Sequence, residues 1–196
     1  MEKINFIKTF IPEGDFSEKY EHGGMIVRHL AAVLDEKMGA YECYECTVPI
    51  GEYDEEKIQK AFVEFSAKMD AMKLEQAKAD KVAEIAAYDT SSAVNGFRLN
   101  GMLVWLDKAT RVGLMNSTTI AKAAGQETTT LWLGEVKLVV ECDKAIQLLS
   151  ALEMYALACF NVTASHKASV SELMTIEEVE AYDYKAGYPT MLEMSV

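Results

Sequence analysis

Cys43 and Cys46, in the run CYEC, stand at a spacing that metal and redox chemistry both use. One C-x-x-C is half of a structural zinc site, which needs four ligands. Cys142 and Cys159 lie far downstream and form no second short-spaced pair. A disulfide oxidoreductase needs its pair at the start of a helix that follows a strand. Here YECYECTV alternates and is rich in β-formers, so it reads as a strand. Residues three apart on a strand point to opposite faces, which is poor chelating geometry. The expectation is reduced structural thiols, with no metal and no cofactor; a small metal-binding or redox protein is the alternative that CYEC leaves. Cys159 and His166 are seven apart on one predicted helix. Two turns put them about 10 Å apart, too far for direct proton transfer. They read as seam residues, with His166 either fixing register or reaching solvent near the helix end.

Other chemistry-bearing stretches are equally bland. EHGG lacks the spacing and the Lys-Ser/Thr of a phosphate cradle and reads as a turn. There is no G-x-S-x-G elbow and no H-E-x-x-H. The acidic runs YDEE and IEEVEAYD lack the calcium-loop pattern and suit helix N-termini, where acids are favoured. Trp105 and Trp132 fall in predicted hairpins, where core or cross-strand packing is the ordinary role and stacking on a carbohydrate the lesser one. No catalytic residue emerges, and the chain is expected not to be an enzyme.

The elements that must position these residues suit a chain of 196 residues, half of them hydrophobic. A formal charge of −12 without a basic stripe argues against nucleic acid and against anionic membrane surfaces. No window approaches the roughly 18 consecutive apolar residues of a membrane span. MEKINFIKTF lacks the layout of a secretory signal, so the protein is expected to stay inside the cell that makes it.

The pattern predicts an α+β fold in three parts: a small N-terminal α+β unit over 1–53, a long helix over 54–88, and a C-terminal α+β domain over 89–196. INFIKTF reads as a strand. In MIVRHLAAVLDEKMG, Ile26, Leu30, Val33 and Leu34 share one face at helical spacing, with Lys37 in the last turn and Gly39 as C-cap. The YECYECTVP strand follows. From Asp54, a cap, to about Tyr88 there is no Gly or Pro and the composition favours helix. Ile58, Phe65, Met72, Ala79 and Ala86 recur every seven residues, with Phe62, Met69, Gln76 and Ala83 as companions. A helix of roughly 35 residues would be about 50 Å long. Either it self-associates as a coiled coil through Ile58, Phe62, Phe65, Met69 and Met72, or it packs on its own domain with a break near Lys73.

Further on, VNGFRL and MLVWL read as strands joined by Asn100-Gly101, a type I′ turn pair. Asp107 caps a helix that runs through Ala124 and ends at Gly125. ETTTLWLGEVKLVV is a second hairpin, with Gly134-Glu135 suited to a type II′ turn. Asp143 caps a helix to about Leu173, with Ala145, Leu148, Leu152, Tyr155, Cys159, Val162, His166 and Leu173 at three-four spacing and a wider apolar face in its first half. TIEE at Thr175 resembles a capping box. The closing loop carries Tyr182, Tyr184 and Tyr188, candidates for contact with a partner, with docking back on their own domain as the default.

Residues 75–173 resemble a domain of unknown function seen in tail proteins of tailed phages and prophages. The resemblance rests on the order of elements and on Phe97, Asn100, Gly101, Asp107, Arg111, Trp132 and His166-Lys167. It implies a non-enzymatic structural or adaptor protein near the tail fibre or baseplate, made in the bacterial cytoplasm and then part of the virion tail. Its partners would be other phage tail proteins, and it would form a homo-oligomer. The resemblance also admits a fibre-assembly chaperone absent from the mature particle. It carries no catalytic residues.

Overall fold

Paired glycines and alternating β-formers build four strands near the start of the chain. A computed structural model of the chain describes residues 4–11, 19–37 and 39–195. Strands β1 (Phe6–Ile11), β2 (Lys19–His22), β3 (Met25–Asp35) and β4 (Ala40–Pro49) form an antiparallel sheet in the order β1-β4-β3-β2. Gly23 and Gly24 both take positive φ between His22 and Met25, so EHGG is a hairpin turn as expected. A single 3-10 turn over Ile50–Glu52 leads into α1 (Glu55–Asp89). Asp54 caps it, its carboxylate accepting from Lys57 N at 3.1 Å, and the helix continues without interruption through Lys73.

The predicted helix over 25–39 is the strand β3. Its register explains the error. Leu30 pairs with Tyr44 and Val33 with Glu42, so β3 holds one extra residue there. Such a bulge shifts the odd-even parity of a strand by one. Positions 26, 30 and 33 then mimic the 0-4-7 rhythm of a helix. Gly39 is accordingly a hairpin residue, at φ +62, and caps no helix. Among the described residues of 4–53 there are strands and one 3-10 turn, and no α-helix. One face of the sheet is covered by the start of α1, where Ile26, Leu30, Cys46, Val48 and Ile58 are buried together.

Compact units span residues 1–73 and 74–196, with the border inside α1. The second contains α2 (Ser92–Asn95), β5 (Phe97–Leu99), β6 (Met102–Val104), α3 (Lys108–Ala123), β7 (Thr128–Leu133), β8 (Val136–Glu141), α4 (Cys142–Glu172), α5 (Ile176–Ala181) and β9 (Leu192–Met194). Asn100 at φ 50 and Gly101 at φ 83 close the β5–β6 hairpin, and Gly134 at φ 65 closes β7–β8, as the residue pairs predict. Asp107 caps α3 and Thr175 and Glu178 form the capping box of α5.

Three features depart from expectation. Val94 and Asn95 belong to the short helix α2, not to a strand, and Gly96 ends it where a Cβ would come within 2.2 Å of Ser92 O. Asp143 does not cap α4; Glu141 holds the cap position without a side-chain bond, and Asp143 pairs with Lys122 from the last turn of α3. Strand β9 pairs parallel to β5, so the chain's end completes the sheet β6-β5-β9.

The core of this unit joins Phe97, Leu99, Val104, Leu106, Leu131, Leu133, Val140, Ala145, Leu149 and Leu152. By length and composition α4 could cross a membrane, a test that core helices also pass. Here its inner face lies in this core. Both tryptophans are in this unit, so their fluorescence reports on it alone. Phe97→Ala, at a position with no exposed surface, should destabilise unit 74–196 by about 3–5 kcal/mol. The urea midpoint of the tryptophan transition measures it, and an unchanged midpoint would show that Phe97 is not the keystone of the sheet.

Candidate functional site

Arg111 is the buried charge around which a cleft in unit 74–196 is built. The Asp107 cap fixes the start of α3: its carboxylate accepts from Thr110 N at 2.8 Å and from Thr110 Oγ1 at 2.7 Å. Those bonds from Thr110 hold the Asp107 carboxyl below its ordinary range. The same turn places Arg111 under the end of β6 and beside α4. Its Nε donates to Glu153 Oε1 and its Nη1 to Leu106 O, each at 2.8 Å. The cleft, about 420 Å³, is lined by Trp105, Leu157 and Phe160 as well as by Asp89, Asn95 and Glu153. Neither tryptophan is core: Trp105 is 41% exposed, and Trp132 stands 56% exposed on the β7–β8 hairpin with Lys137 Nζ over its ring. Leu157 and Phe160, on the α4 stretch where the sequence predicts a wide apolar face, are also solvent-facing.

The closing tyrosines are spent internally. His166 Nε2 donates to Ala186 O at 2.9 Å, and Nδ1 then accepts from the Tyr182 hydroxyl at 2.9 Å, a pattern that the neutral Nε2–H tautomer satisfies. His166 thus clasps the loop and does not simply reach solvent. Tyr188 meets Thr163 at 2.9 Å, and Thr163 Oγ1 donates to Asp89 Oδ1 at 2.7 Å. Tyr184 and Tyr188 both pack edge-on against Tyr88 near the end of α1, and Lys81 lies over Tyr184. Tyr155 donates to Val94 O at 2.8 Å and Cys159 Sγ to the same carbonyl at 3.3 Å. Cys159 and His166 therefore serve different contacts.

In unit 1–73, Cys43 and Cys46 are both buried, on opposite faces of β4. Burial pushes both thiols up, so they resist ionisation. Among the described residues no group of three or more His, Cys, Asp and Glu side chains converges as a metal site, and all four cysteines are free thiols. His29 lies opposite Glu45 across the β3–β4 ladder and bonds it at 2.8 Å. Of the heptad residues, Ile58 is buried in the unit's own core, with Phe62 packed against it. Phe65 stacks on Phe6 at 5.0 Å and meets Tyr44 at 5.1 Å. Met69 is half-buried and Met72 is 56% exposed, so the seam that reaches solvent is shorter than the sequence repeat.

Sequence spacing brought together neither Asp89 nor Asn95 with Arg111 and Phe160. The cleft draws on separate segments of chain, and nothing in their local pattern marks them as neighbours.

The family described as Domain of unknown function (DUF4376) matches residues 76–186, wholly inside the second unit. No curated protein and no solved structure matches.

Two measurements test this geometry. A thiol reagent should find no reactive cysteine in the folded protein and four after denaturation; rapid labelling of Cys43 or Cys46 in the native state would refute their burial. Tyr155 is pushed up to about 12, chiefly by burial and then by Cys159. Its folded value exceeds its unfolded one, so its contribution is whole below the unfolded value and is lost as pH rises through the folded one. Phenolate absorbance should show one tyrosine titrating last, and Tyr155→Phe should remove that step.

Proposed function

We propose that this chain, which belongs to the DUF4376 family, is a non-enzymatic adaptor of a phage or prophage tail, placed near the fibre or baseplate. The observation that carries an adaptor reading is how polar and apolar groups are distributed in unit 74–196. The thiol and imidazole of α4 are spent on internal bonds: Cys159 on Val94 O, His166 on Tyr182 and Ala186. Large apolar side chains meanwhile stand in solvent, among them Leu103, Ile120, Trp132, Val139, Met154 and Phe160. Such side chains would be covered where another protein docks. The tail assignment rests on the family resemblance of residues 75–173, and the partners are other tail proteins together with further copies of this chain. The charge of −12 favours neither nucleic acid nor an anionic membrane as partner.

An alternative within the same reading is a chaperone that holds the fibre before assembly. Mass spectrometry of purified particles decides. An adaptor is present in stoichiometric amounts in the particle. A chaperone co-purifies with unassembled fibre and is missing from the particle. Absence from both fractions would remove the tail assignment altogether.

A further inference from the structure

We propose that the cleft beside Arg111 binds a neutral saccharide. The proposal goes beyond the adaptor reading and stands on the chemistry of the lining.

At about 420 Å³ the cleft falls within the range of small-ligand pockets. Its apolar part is aromatic and open: Trp105 is 41% and Phe160 58% exposed, with Leu157 beside them. Aromatic side chains exposed in a concave site are available for a ligand to pack on. The carbon-hydrogen face of a pyranose ring is both flat and apolar enough to do so, since the electron-rich face of an aromatic ring attracts polarised C–H groups.

The polar part suits hydroxyls. Glu153 Oε1 is taken by Arg111 Nε, and Asp89 Oδ1 by Thr163, which leaves Oε2 and Oδ2 as acceptors. Asn95 donates from Nδ2 to Asp89 O at 2.6 Å and keeps Oδ1. Arg111 has committed Nε and Nη1 and retains Nη2, and Lys108 adds an ammonium at the rim. A hydroxyl both donates and accepts, so neighbouring hydroxyls can use this mixed set.

Charge excludes the main competitors. The lining holds three carboxylates, Asp89, Asp107 and Glu153, against two cations, Lys108 and Arg111. An anionic ligand meets net repulsion there, in a chain that is itself strongly acidic. A wholly apolar ligand would strip water from the guanidinium and the carboxylates without returning hydrogen bonds. A neutral polyhydroxylated ring satisfies both halves of the cleft.

Trp132→Phe leaves Trp105 as the sole tryptophan, a reporter within the cleft. Its emission is followed as the full-length protein is titrated with cellobiose, maltose, lactose and diacetylchitobiose. The expected result is a saturable change with at least one of these sugars. Phe160→Ala, at an exposed position that leaves the core intact, should weaken that binding about tenfold. Three outcomes overturn the proposal: no sugar alters the emission, the response is undiminished in Phe160→Ala, or sialyllactose binds as tightly as lactose. Loss of particle association in Phe160→Ala without any sugar response also overturns it, and assigns the cleft to a protein anchor while leaving the adaptor reading in place.

Discussion

The inner face of α4 is the constraint on which unit 74–196 depends. Its buried positions, Ala145, Leu149, Leu152, Ala156, Cys159, Thr163 and Val170, keep a three-four rhythm along the helix. The first half of that face is apolar and meets the two small sheets. The second half turns small and polar. Thr163 gathers Asp89 and Tyr188, and His166, one turn further, gathers the closing loop. One helix therefore seats a hydrophobic core at one end and a hydrogen-bonded clasp at the other.

This division accounts for the fate of the reactive side chains. A cysteine, a histidine and several tyrosines invite a catalytic reading when they share one helix and one loop. In the fold each has a partner that limits its chemistry: a backbone carbonyl for Cys159 and Tyr155, a hydroxyl and a carbonyl for His166. The thiols of CYEC follow the same logic by a different route, because burial on either face of a strand makes them resist ionisation and separates them. Arg111 is the exception that leaves function open. Its charge is balanced by Glu153, and it also lines a cleft whose walls are aromatic and polar.

The first unit shows a related economy. Ile58, Phe62 and Phe65 repeat at coiled-coil spacing, and their partners include Phe6, Tyr44 and Val48 on the adjoining sheet. A seven-residue repeat records that one side of a helix is apolar. It does not record whether a strand or another helix covers that side.

By itself, the sequence determined the features set by local chemistry. Asn100-Gly101 and Gly134-Glu135 fixed two hairpins because few residue pairs tolerate those backbone angles. Asp54, Asp107 and Thr175 fixed three helix starts because their oxygens meet unpaired amides. The 35-residue span of α1 followed from the absence of Gly and Pro. What only the tertiary structure decided depended on residues distant in the chain. The bulge in β3 disguised a strand as a helix, since periodicity alone carries no record of an inserted residue. The seam of α4 runs through Ala156 and Thr163, not through the larger Tyr155 and Val162, because a close approach selects small side chains that a hydropathy pattern passes over. The cleft itself unites Asp89, Asn95, Trp105, Arg111, Glu153 and Phe160, whose proximity is a property of packing and of no spacing.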